Sequence, residues 1–213
     1  MATIRAFCGV RYNPTRVPDL SDVVSQPYDR VRYGLQEHYY RQSPYNVVRI
    51  LRGRTEPDDA PEQAGGPNVY TRARATYERW RAEGILIREP APALYVYHQT
   101  FTVDTQRKTR KAFIAALELT PFEAGIVLPH ERTQEGPKLD RLRLLRALEV
   151  NTGQIFTLYP DPQNRIASLL DEAIAGRAPD MDLVESYEAD VRQQLWIVRE
   201  PDVLESVQAE MAP

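Results

Sequence analysis

Leu94-Tyr95-Val96-Tyr97-His98-Gln99-Thr100-Phe101-Thr102-Val103 is an unbroken run of β-branched, aromatic and short polar side chains, and after the polar Asp104-Thr105-Gln106-Arg107 comes a second such stretch, Lys111 to Leu119. Two strand-forming segments around a short polar connector predict an antiparallel hairpin. Alternation places Tyr95, Tyr97 and Gln99 on one face and Val96 and His98 on the other, a pattern of ordinary sheet packing or of pocket lining. Outward from this hairpin, Ile4–Tyr12, the β-branched Tyr45–Leu51, Ile155–Tyr159 and Gln194–Arg199 are predicted strands. Between them lie predicted helices. Asn68 is placed to cap one running to Glu83, with Val69, Ala73, Tyr77 and Trp80 spaced for one face and Gly84 at the left-handed stop. Leu35–Gln42 ends before Ser43-Pro44, and Leu139, Leu142, Leu145 and Leu148 lay an apolar stripe on a further helix. Arg165–Ala175 is closed by Gly176, and Pro201–Met211 starts with proline in its first turn. Residues 52–67, rich in proline, glycine and acid, read as an exposed loop. The alternation predicts a mixed α/β (α+β) single domain with a mixed sheet, a hairpin near 94–119 and flanking helices, covering 1–213 with 161–213 as its acidic C-terminal edge.

The composition is that of a globular protein. Of 213 residues, 42% are hydrophobic and 27% charged, and no apolar run approaches a membrane span, so fibrous, disordered and membrane-spanning classes are excluded and the cytoplasm is the expected address. The single Cys8, expected in the core, allows neither an internal disulfide nor a cysteine zinc cage. The net charge of -3 is uneven, because residues 161–213 hold 4 basic and 12 acidic side chains. With no dense basic block in view, no nucleic-acid partner and no membrane partner are expected.

The common phosphate and nucleophile motifs are absent, and His130-Glu131 lacks the second histidine of a zinc helix, Gln134 standing in its place. With His38, His98 and His130 so dispersed, no metal site is expected. The densest polar segment runs from Gly125 to Arg141. In it His130 has the side chain suited to proton movement near neutral pH, with Glu131 or Asp140 to fix its tautomer, and these three are the candidate catalytic residues. Arg132, Lys138 and Arg141, with the Thr133 hydroxyl, are donors suited to phosphate or carboxylate. A second cluster, Ser25-Gln26-Pro27-Tyr28-Asp29, adds Tyr28 and Asp29 on a tight turn. A third, Ser43 to Arg49, adds Asn46 and Arg49 as candidate ligand-binding residues, and a buried Arg49 calls for a carboxylate partner, with Asp29 or Asp140 available.

These clusters in this order resemble the bacterial and archaeal domain-of-unknown-function family 1015. The resemblance rests on Pro27-Tyr28-Asp29, on Pro44-Tyr45-Asn46-Val47-Val48-Arg49, and on Trp80 followed by Gly84. It continues through Tyr95-Val96-Tyr97, the His130-Glu131-x-Thr133 loop with Pro137-Lys138-x-Asp140-Arg141-Leu142, and Ile155-Phe156. The resemblance implies an N-terminal half: family members are typically longer, and their second half carries an Asp-Gly-His-His-Arg segment similar to ParB- and sulfiredoxin-like proteins, some of which bind nucleotides or transfer phosphoryl groups. That segment does not occur in this chain. The expected function is therefore binding of a small phosphorylated or carboxylate-bearing molecule, as half of a phosphoryl-transfer enzyme whose cofactor stays unidentified. The alternative expectation is a noncatalytic interaction module or truncated remnant that docks with a partner chain carrying the missing half.

Overall fold

A computed structural model describes residues 2–60, 66–131, 134–185, 187 and 190–212. Its elements in chain order are β1 (Ile4–Arg5), β2 (Val10–Tyr12), α1 (Tyr33–Gln42), α2 (Val48–Leu51), α3 (Val69–Ala82), β3 (Leu86–Arg88), β4 (Leu94–Val103), β5 (Gln106–Ile114) and β6 (Ala116–Leu117). They continue with α4 (Glu135–Leu148), α5 (Arg165–Ile174), β7 (Met181–Val184), β8 (Arg192–Val198) and α6 (Pro201–Met211). The mixed α/β class is as expected. No helix among the described residues is long and apolar enough to cross a membrane.

The chain divides into two compact units. The first takes Met1–Arg11, Arg88–Arg132 and Ile155–Pro213, and the second Tyr12–Ile87 and Thr133–Gln154, so no single cut in the chain separates them. In the first unit the sheet order is β5-β4-β8-β7. Where a mixed sheet was expected, each of its pairings is antiparallel. The physical reason is the connections: β4–β5 and β7–β8 are joined by short returns, whereas parallel neighbours need a long crossover. Opposed residues sort by face. Leu94 with Val198 and Val96 with Trp196 look toward Ile166, Leu170 and Ile174 of α5 and Val207 and Met211 of α6. Tyr95 and Ile197 turn to the other face, packing with Ala93 and Phe7. The predicted hairpin is present, but its turn is only Asp104-Thr105, both at positive φ (47° and 66°), and Val103 pairs directly with Gln106. Left-handed backbone at a β-branched threonine carries none of the Asn-Gly signature of such turns, so the strand starts earlier than its composition suggests.

The second unit is helical. Asn68 accepts from the amides of Tyr70 and Thr71, while the Thr71 hydroxyl accepts from the Asn68 amide, and Gly84 takes φ +69° at the far end, all as predicted for α3. Trp80, Ala73, Leu144 and Leu148 share one core, with the rings of Tyr12 and Tyr45 at 6.2 and 6.0 Å from Trp80.

Five expectations are corrected. Tyr45–Leu51 is not a strand: Asn46 Oδ1 accepts from the Val48 amide (3.0 Å), and successive turn bonds coil the segment into α2. A side chain that satisfies a free amide locally outweighs β-propensity. Ile4–Tyr12 is two short strands, β1 paired with β6 and β2 with β3, and between them Phe7 bridges to Ala93. Ile155–Tyr159 belongs to no ladder. In α4 the buried leucines are Leu144 and Leu148, while Leu139, Leu142 and Leu145 stay partly exposed. A three-residue step rotates the helix face by about 60° each time, so that stripe wraps around the helix instead of lining one side. Cys8 is half-buried rather than buried.

Candidate functional site

In the second unit three elements converge on Arg141. It lies in the second turn of α4, next to Asp140. Tyr28 is presented by a turn in which the Arg30 amide donates to the Pro27 carbonyl (2.9 Å), anchored by the buried Gln26, whose amide donates to the Tyr39 hydroxyl (3.0 Å). Leu51 ends α2 and offers its carbonyl.

Arg141 donates from Nε to Asp140 Oδ2 (2.9 Å) and from Nη2 to the Leu51 carbonyl (3.0 Å), with a further Nη2 bond to Asp140. Its guanidinium lies over the Tyr28 ring, 4.0 Å from the centroid. The other oxygen of Asp140 accepts from the Tyr70 hydroxyl at 2.8 Å. Burial opposes the Asp140 charge, but the hydrogen bonds from Arg141 and Tyr70 and the charges of Arg141 and Arg52 outweigh it and hold the carboxyl below its ordinary range. Burial raises the Tyr70 hydroxyl, and the bond to Asp140 raises it further, so it stays a donor at neutral pH. The result is a fixed guanidinium. Held from three directions, it keeps Nη1 without a hydrogen bond among the described residues, and the Arg141 and Asp140 side chains are 26% and 27% exposed. A planar cation fixed in place with open donors suits a planar or tetrahedral anion.

Tyr28, Asp140 and Arg141 are thus brought together, while the other expected residues are not. Asn46 is wholly buried and structural: Nδ2 donates to the Asp22 and Val24 carbonyls, 2.9 Å each, tying down the segment before Tyr28. Arg49 finds no carboxylate among the described residues, contrary to the expected pairing with Asp29 or Asp140. Instead Nη2 donates to the Tyr40 carbonyl at the C-terminal end of α1 (2.8 Å), and its guanidinium stacks on the Tyr40 ring at 4.2 Å beside that of Arg54 at 4.0 Å. Burial lowers its pKa from the ordinary value; Tyr40 opposes this, and the charges of Arg54 and Arg79 add lesser effects in the direction of burial. Asp29 is exposed, as is Lys138, whose Nζ is 3.9 Å from Glu135. His130 and Glu131 are exposed and fall in the first unit. Arg132 and Thr133 lie outside the described residues.

Sequence reasoning missed Tyr70, Arg52 and the Leu51 carbonyl. Tyr70 had a signal, because Tyr70, Ala73, Tyr77 and Trp80 follow a three-four-three spacing that puts Tyr70 on the packed face of α3. The carbonyl had none. Among the described residues no group of three or more His, Cys, Asp or Glu side chains could hold a metal ion. A cavity of about 390 Å³ opens in the first unit, lined by Thr102, Arg107, Asp182, Leu183, Val184, Asp190 and Arg192, none of them an expected site residue.

The family model described as "Protein of unknown function (DUF1015)" matches residues 4–213. No curated protein and no solved structure matches the chain.

Proposed function

This chain belongs to the DUF1015 family, and we propose that its second unit binds a small phosphorylated or carboxylate-bearing molecule through Arg141. The supporting observation is the guanidinium fixed by Asp140, Leu51 and Tyr28 with Nη1 still open. Orientation before the ligand arrives removes much of the side-chain entropy cost of binding. In this reading Asp140 is a positioning residue. A carboxylate engaged on both oxygens and held below its ordinary pKa range is a poor proton acceptor at neutral pH. Lys138, three residues before Arg141 on α4 of the same unit and exposed, is a further donor to the anion.

Pyrophosphate and citrate, titrated separately in thermal unfolding, test the reading. Either anion raises the midpoint of the wild-type protein as binding to the folded state requires, while Arg141→Met abolishes the rise and Lys138→Ala weakens it. An equal rise in the Arg141→Met protein places the anion elsewhere and ends this assignment.

A further inference from the structure

The first unit carries an open sheet edge of unusual chemistry. β5 is the last strand of its sheet, so every second residue turns its backbone N–H and C=O away from β4 with no further strand among the described residues to meet them. Its exposed half holds Arg107, Lys108, Arg110 and Lys111. Lys111 is bound to Asp171 (2.7 Å), whereas Arg107, Lys108 and Arg110 pair with no carboxylate among the described residues. Charge on an edge commonly serves to repel other strands. Here the neighbourhood is also apolar. Arg110 lies between two aromatic rings, 5.5 Å from the Phe101 centroid and 5.1 Å from that of Phe156. The Phe156 segment makes no backbone hydrogen bond among the described residues, and Ile155, Phe156 and Leu158 are 83%, 58% and 87% exposed. So much apolar surface beside unpaired cations is unlike a solvated protective edge.

We propose that the outer edge of β5, with Phe156 beside it, docks an acidic, extended polypeptide segment of a partner protein, which adds as a strand next to β5. Backbone groups of the incoming strand complete the ladder, and its acidic side chains on one face meet Lys108 and Arg110, which share a face of β5 with the Phe101 and Phe156 rings alongside, while Arg107 turns to the other face. Charge decides the occupant. A second copy adding through its own β5 would set the same cations against each other, which is repulsive for directly opposed residues. The acidic segment requires no ligand at Arg141, so this proposal stands apart from the anion site.

A fluorescein-labelled peptide alternating glutamate and valine is the probe, followed by anisotropy with the full chain. The expected result is saturable binding that weakens at about 0.5 M salt and is roughly tenfold weaker or more in Lys108→Glu/Arg110→Glu. Both residues are exposed, and an unchanged unfolding midpoint confirms that the variant is folded. Arg141→Met leaves the affinity as it was. An N-methylated peptide, which keeps the charge and loses alternate amide donors, binds at least tenfold more weakly by the same reasoning. The proposal is overturned by any of four results: no binding, equal binding of a lysine-valine peptide, equal binding of the N-methylated peptide, or displacement by a single-stranded oligonucleotide as effective as by unlabelled peptide. Self-association in sedimentation that the double variant abolishes would name a second copy as the occupant and overturn it as well.

Discussion

Each unit contains an arginine–carboxylate cluster, and the two are finished differently. In the first, Glu89 is 2% exposed in its side chain, and both oxygens are taken, Oε1 by Arg11 Nε (2.6 Å) and Oε2 by Arg199. Burial resists the Glu89 charge, but the two guanidinium groups prevail and hold its carboxyl below the ordinary range. The cluster clamps the residue that follows β8 and the middle of β2 onto the segment after β3, and the anion at its centre is enclosed. In the second unit the order is reversed. There the carboxylate of Asp140 is spent on fixing a cation, and it is the cation that remains open at Nη1. The same pair of chemical groups thus encloses the anion in one unit, and in the other leaves a donor of the cation open.

Glu89→Ala makes the largest break in this contrast. It leaves two arginines facing each other, one of them mostly buried, and is expected to cost about 3 kcal/mol, seen as a lower urea midpoint; a change below roughly 1 kcal/mol would reduce the clamp to an ordinary surface pair. Asn46→Ala comes next, at about 2 kcal/mol, because the Asp22 and Val24 carbonyls and the Val48 amide each lose a buried partner. Arg141→Met is expected to shift stability by no more than about 1 kcal/mol while removing the anion response, the opposite balance from Glu89→Ala. Acid sharpens the comparison further. Asp140 and Glu89 both have folded pKa values below their unfolded ones, so each contributes stability that is complete above the ordinary carboxylate range and is lost as pH falls through the depressed value. Asp140→Asn should therefore lower stability on the plateau above the carboxylate range and flatten the acid limb, the two profiles converging at low pH, and an unchanged limb would mean that Asp140 is no better held than in the unfolded chain. Tyr28→Leu is the smallest, about 0.5 kcal/mol, and its readout is a weaker anion response rather than a lower midpoint.

The helices were the legible part of this chain. Asn68 at the start of α3, Gly84 and Gly176 at positive φ after α3 and α5, and Pro201 opening α6 all stand where local chemistry places them. The hairpin was legible for the same reason, though not its two-residue turn. Of the candidate site, Tyr28, Asp140 and Arg141 could be chosen from the sequence as polar groups near turns and a helix start, but their convergence could not. Asn46 was chosen for a ligand and proves to brace the backbone, and Arg49 was assigned a carboxylate and caps a helix instead.

The sequence by itself determined the family, the mixed α/β class, most helix boundaries and the three residues on which the anion proposal rests. Capping, glycine geometry and alternation act within a few residues, so their consequences can be read along the chain. Only the tertiary structure decided that Tyr45–Leu51 coils, that Ile155–Tyr159 joins no sheet, which side of α4 is buried, and that the Leu51 carbonyl and Tyr28 ring meet Arg141. Each of these depends on which distant group supplies the missing hydrogen bond or covers the apolar face, and that choice is made by packing rather than by neighbours in sequence.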